Sequence, residues 1–96
     1  MILVALPNQL PYSRFGFTAS KRIGKAVTRN RARRRMREAV RLRMKEIKPG
    51  WDLVFIARKP IVHATFQEIQ AATEQLLAQA DLLNPSVSDA VPAQSS

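Results

Sequence analysis

The chain has no cysteine, and only three glycines, one histidine and one tryptophan in 96 residues. Without thiols it can form neither a disulfide framework nor a thiolate metal site. The lone histidine, His63, has no second ligand at metal-binding spacing and reads as a loop residue rather than a catalyst. The seven acids are scattered, with no carboxylate pair placed to hold metals or to act as acid and base. No Ser–His–Asp arrangement and no Gly-rich phosphate loop is visible. The longest apolar run, Ile2 to Leu6, is far below the ~20 residues a membrane-spanning helix needs. Nor does the start carry the basic leader of a secretory signal. These absences point to a cytoplasmic protein with no membrane partner and no hydrolytic machinery of its own.

Acid is also scarce where base is dense. Sixteen Lys and Arg stand against seven Asp and Glu, a net charge of +9. Between Arg14 and Lys48, fourteen bases meet only Glu38 and Glu46, a local balance of +12. From Pro60 onward there are four acids and no base. Repulsion within the basic segment opposes compact folding unless a polyanion relieves it. Most of those bases are Arg, whose planar fork pairs with phosphate oxygens. A nucleic acid is the leading partner.

The length fits one domain, assigned to residues 1–83, with a core of modest size. Ile2 to Leu6 suits a buried strand, and Pro7, Asn8, Pro11 and Ser13 read as a loop. Arg14 to Ser20 alternates, with Phe15, Phe17 and Ala19 on the face expected to meet the core. Gly24 marks a connection that bends into a helix. From Thr28, a plausible N-cap, strong helix formers run to Pro49-Gly50. Ala32, Met36, Ala39, Val40 and Ile47 fall on one side of that helix; Arg34, Arg37, Arg41, Lys45 and Lys48 fall opposite. Trp51 to Ala57 is a third strand, in which Trp51 reads as core rather than as a base-stacking residue. Thr65 and Glu68 have capping-box spacing. The helix they open would bury Phe66, Ile69, Leu76, Leu77, Ala80 and Leu83. Residues 84–96, rich in Ser, Pro, Ala and Val, read as a disordered tail.

The order of residues in the basic segment is more specific than its charge. The run Phe15-Gly16-Phe17-Thr18-Ala19-Ser20-Lys21-Arg22-Ile23-Gly24-Lys25-Ala26-Val27, followed by Arg29-Asn30-Arg31, Arg33-Arg34 and Arg37-Glu38, resembles the signature of the bacterial ribonuclease P protein family. Asp52 to Arg58 matches its downstream strand, and the likeness extends from about Ile2 to Leu83. The resemblance implies an α+β fold of the ribosomal protein S5 domain 2 type. In that fold a two-layer α/β sandwich has a small, mixed, four-stranded sheet and a left-handed crossover around the basic helix. Period alone would suggest the common right-handed form.

It also implies an accessory RNA-binding subunit of a ribonucleoprotein endonuclease that removes the 5′ leader from precursor tRNA. The RNA subunit would perform the hydrolysis with Mg²⁺ that it holds itself, and no protein partner would be obligatory. On matching positions, Arg29, Asn30, Arg31, Arg33, Arg34 and Arg37 would touch the catalytic RNA, and Ser20, Lys21, Arg22 and Lys25 would lie near the leader. Two departures stand out. The family normally begins with a helix whose aromatic residues line the leader cleft, whereas Met1 falls about where the first strand should run, so the chain reads as N-terminally truncated. Arg35 stands where an apolar residue is usual, either adding an RNA contact or sitting exposed beside the core.

Three other readings compete. A DNA-binding or chromatin-like protein would lay the same helix in the major groove, but no dimer element accompanies it. A protein-only nuclease would need an acid such as Asp52. A membrane-surface peptide fits poorly with a basic helix set between two strands.

Overall fold

Apolar alternation and branched side chains produce three strands, β1 (Ile2–Pro7), β2 (Arg14–Thr18) and β3 (Trp51–Ile56). The computed structural model describes residues 1–84. Strand β3 is central, antiparallel to β1 and parallel to β2, in the order β1-β3-β2. Parallel neighbours need a crossover connection, and here it contains helix α1 (Ala26–Arg41). Helix α2 (Phe66–Gln79) follows β3. The two helices pack on each other, α1 also against β2 and α2 against β1. The result is the expected two-layer α+β sandwich with a mixed sheet.

The sheet has three strands among the described residues rather than the four the resemblance implied. The other extended pairing is a single bridge between Ile47 and Leu83, too short to count as a strand. Inward-facing Leu53 and Phe55 meet Met36 and Val40 of α1 and Leu77 of α2, and all five are fully buried. Phe15, Phe17 and Ala19 pack against this core as expected, as does Trp51. On the opposite face Ile2, Val4 and Leu6 remain exposed, in register with Ile56, Val54 and Asp52.

Helix boundaries differ from the sequence expectation. α1 begins at Ala26, and its N-cap is Lys25, without a side-chain capping bond, rather than Thr28. Gly24 is the cause: its φ of 144° turns the chain early, and the Arg29 amide then donates to the Lys25 carbonyl at 3.0 Å to close the first turn. The helix ends at Arg41, well before Pro49. A short 3-10 turn, Met44–Glu46, follows, and Arg43 bonds Glu46 and Glu74 at 3.1 Å each. Ile47 is buried, though beyond the helix, and Lys48 pairs with Asp81, so neither Lys45 nor Lys48 belongs to the helical ridge.

The capping box of α2 forms as its spacing predicts: Glu68 N–H donates to Thr65 Oγ1 at 3.1 Å and Thr65 N–H to Glu68 Oε1 at 2.8 Å. Its other end turns at Asp81 (φ 57°), with Leu82 N–H donating to the Leu77 carbonyl at 2.9 Å. That turn swings Leu82 into the core and leaves Ala80 exposed, against the expected helical face. Thr73 is also fully buried, its hydroxyl satisfied by the Ile69 carbonyl at 2.8 Å. Asn84, assigned to the tail from sequence, donates its backbone N–H to the Glu46 carbonyl at 2.6 Å, and the rest of the expected disordered tail, residues 85–96, lies outside the described residues.

Candidate nucleic-acid interface

Where each carboxylate goes decides which bases stay free. Asp52 accepts Arg14 at 2.8 and 2.7 Å and the Asn8 amide at 2.9 Å, and these bonds hold its carboxyl down at about 2. Glu38 pairs with Arg41, and that hydrogen bond lowers its pKa. Glu46 and Glu74 share Arg43, Asp81 takes Lys48, and Glu68 caps α2. None of these six acids forms an ion pair with Arg29, Arg31, Arg33, Arg34 or Arg37. The N-terminal half of α1 is therefore cationic, with no ion pair to another described residue.

That half-helix also opposes its own dipole. Its first turn contains no acid, and Lys25 and Arg29 sit near the positive end, where cations are unfavourable. Bound anions would relieve both the repulsion and the uncapped N–H groups.

All six residues assigned to the helix surface lie on α1, but they differ in setting. Arg31, Arg34 and Arg37 are exposed, as is Asn30; Arg29 and Arg33 are half-buried. Arg33 donates to the Asn30 side-chain oxygen, and the Asn30 amide NH₂ has no hydrogen-bond acceptor among the described residues. Arg29 reaches the Gly24 carbonyl at 3.4 Å. The Arg37 guanidinium lies over the Phe17 ring, 5.7 Å from its centroid. Arg41, on the expected ridge, is occupied by Glu38. Arg35 turns inward and donates to the Ala64 carbonyl at 3.0 Å, which accounts for an Arg beside the core.

The four residues assigned near a leader separate. Ser20 and Arg22 line a cleft of about 520 Å³ together with Ile2, Arg58 and Lys59, whereas Lys21 and Lys25 are exposed outside its lining. Spacing along the sequence does not single out Arg58 and Lys59. Parallel pairing was the absent information: β2 and β3 finish at the same edge, and Ala57 N–H donates to the Thr18 carbonyl at 2.9 Å. His63 is exposed at the end of a 3-10 turn, Lys59–His63. No group of three or more His or acidic side chains among the described residues could hold a metal ion, and no helix among them is long and apolar enough to cross a membrane.

Fold and surface together define a small α+β protein that displays a cationic helix beside a mixed sheet. The model of the family described as ribonuclease P matches residues 1–81. The chain is 52% identical over 87 residues to the ribonuclease P protein component of Roseiflexus sp. (strain RS-1), covering 90% of this chain and 71% of that one. Identity to the ribonuclease P protein component of Clostridioides difficile (strain 630) is 46% over 83 residues, covering 85% and 73%. The solved structure of the Staphylococcus aureus RNase P protein superposes with a TM-score of 0.76 at 31% identity, covering 85% of this chain and 75% of that one. That of the Thermotoga maritima RNase P protein gives 0.66 at 31%, covering 80% and 71%. The chain belongs to the ribonuclease P protein family.

Proposed function

We propose that this chain binds the RNA subunit of ribonuclease P through the exposed ridge of α1 and assists removal of the 5′ leader from precursor tRNA. The observation that carries this reading is the distribution of acids: all six described carboxylates are engaged away from the Arg29–Arg37 stretch. Guanidinium groups fixed on one rigid helix meet a folded phosphate backbone together, so their ordering cost is met by folding. The cleft of Ser20, Arg22, Arg58 and Lys59 suits a single-stranded leader whose phosphates need several donors in a row.

Hydrolysis belongs to the RNA in this reading. The described carboxylates bond partner groups and gather into no metal-holding cluster, so the described residues offer no Mg²⁺ seat. Asp52, an example of the acid a protein-only nuclease would need, is tied to Arg14 and Asn8 by hydrogen bonds. The test is reconstitution with the cognate RNA and a precursor tRNA. RNA plus protein should cleave at lower Mg²⁺ than RNA alone, and purified protein alone should not cleave. Cleavage by the RNA-free chain, or indifference of the RNA to its addition, would overturn the proposal.

A further inference from the structure

Val27 is the most exposed large hydrophobic residue of the described chain, at 80%, and it lies in the first turn of the basic helix. It does not stand alone. The 3-10 turn Lys59–His63 brings Val62, itself 40% exposed, to the same side of α1. Between them is a hollow of about 130 Å³ lined by Val27, Thr28, Arg31, Arg35, Ile61 and Val62.

Resting on the RNA-binding reading of α1, we propose that this hollow is the seat of one unpaired nucleobase of the bound RNA. Size is the first argument: an enclosed cavity of about 150 Å³ holds a benzene ring, so a hollow of about 130 Å³ that is open at its mouth admits the edge of one base ring. Chemistry is the second. The walls carry the aliphatic Val27, Ile61 and Val62 beside Thr28, the charged groups lining the hollow are both guanidiniums, and no acid among the described residues lines it. A ring with a phosphate attached meets both demands, the base against Val27, Ile61 and Val62 and its phosphate on Arg31, which has no ion-pair partner among the described residues. The third is preorganisation. Arg35 is pinned by its bond to the Ala64 carbonyl, so its planar group can stack on a base with little further ordering. The seat adjoins the ridge, since Arg31 belongs to both.

The seat is tested by Val27→Ser with Val62→Ser, both at exposed positions whose loss leaves the core intact. Affinity for the ribonuclease P RNA should fall about tenfold, as expected when two aliphatic side chains partly covered by a base are lost, while the slope of affinity against salt stays unchanged because no cation is removed. Base-specific chemical probing should find one unpaired nucleotide protected by the native chain and exposed with the variant, its flanking phosphates still covered. In parallel, Arg31→Ala with Arg34→Ala tests the ridge by lowering both affinity and salt slope. If the arginine pair weakens binding and the valine pair changes neither affinity nor protection, the seat is wrong and the ridge stands. If neither pair matters, the ridge itself fails. Should the RNA-free chain dimerise through this patch, with the valine variant monomeric and equal to native in RNA binding, the seat belongs to a second copy and the proposal is overturned.

Discussion

Arg37 on the helix and Phe17 on the strand are coupled: the guanidinium sits 5.7 Å above a ring that itself stacks on Phe55 at 5.7 Å and 14°. A core residue thus fixes the orientation of a surface cation. Phe17→Leu keeps apolar volume and removes the ring face, and it should lower RNA affinity about two- to fivefold, the value of an exposed cation–π contact of about 0.5–1 kcal/mol. In a double-mutant cycle with Arg37→Ala the two losses should not add. Full additivity would show that the stacking does not position Arg37.

Salt separates the ridge from the paired cations. Arg31→Ala and Arg34→Ala remove charges with no ion-pair partner among the described residues, and each should reduce the salt slope of RNA binding by about 1. Arg41→Ala removes a cation already occupied by Glu38 and should change the slope less. Titrations between 50 and 200 mM salt, where roughly six phosphate contacts correspond to a thousandfold loss, give the readout.

The cleft is probed through the residues the sequence did not single out. Arg58→Ala with Lys59→Ala should weaken binding of precursor tRNA to the reconstituted enzyme about tenfold, as expected when charge-assisted bonds are lost. Affinity for mature tRNA, which has no leader, should be unchanged. Equal losses for both substrates would place the leader elsewhere.

Acid stability should depend on Asp52. Its carboxyl is held at about 2, below the usual 3.8, by hydrogen bonds from Arg14 and Asn8. A depressed acid contributes fully above its unfolded value and loses that contribution as pH falls through the folded value. The stability gap between the native chain and Asp52→Asn should therefore be constant above about pH 4 and close as pH falls toward 2. Urea unfolding at a series of pH values checks this, and a gap independent of pH would contradict it.

The capping box gives a purely structural control. Thr65→Ala should cost about 0.5–2 kcal/mol, lowering Tm by roughly 4–8 °C per kcal/mol in a domain of this size. RNA affinity below the melting range should be unaffected, since Thr65 lies outside both the ridge and the cleft lining.

Much of this architecture was legible before any coordinates. The alternation of Phe15 and Phe17, the Thr65–Glu68 spacing and the order of residues through Arg37 each reflect a local rule, and each local rule was kept. What was not legible depended either on a local backbone conformation without its usual side-chain signal or on pairing between distant segments. The start of α1 moved because of the conformation of Gly24, and its end gives way to the 3-10 turn Met44–Glu46, beside which Arg43 bonds Glu46 and, from across the fold, Glu74. Leu82 entered the core through a left-handed Asp81, where Gly or Asn is the usual signal. Arg58 and Lys59 gained their place beside Arg22 from the parallel register of β2 and β3, which no spacing along one strand encodes.

The absence of cysteine makes the most direct measurement simple, because one introduced thiol is unique in the chain. Ala26→Cys at the exposed start of α1 and Gln75→Cys on the outer face of α2 can each carry an iron chelate that cuts nearby RNA. With the ribonuclease P RNA bound, cuts should cluster at a few sites from position 26 and be absent from position 75. Cuts from the α2 position alone, or the same diffuse pattern from both, would contradict recognition through the α1 ridge.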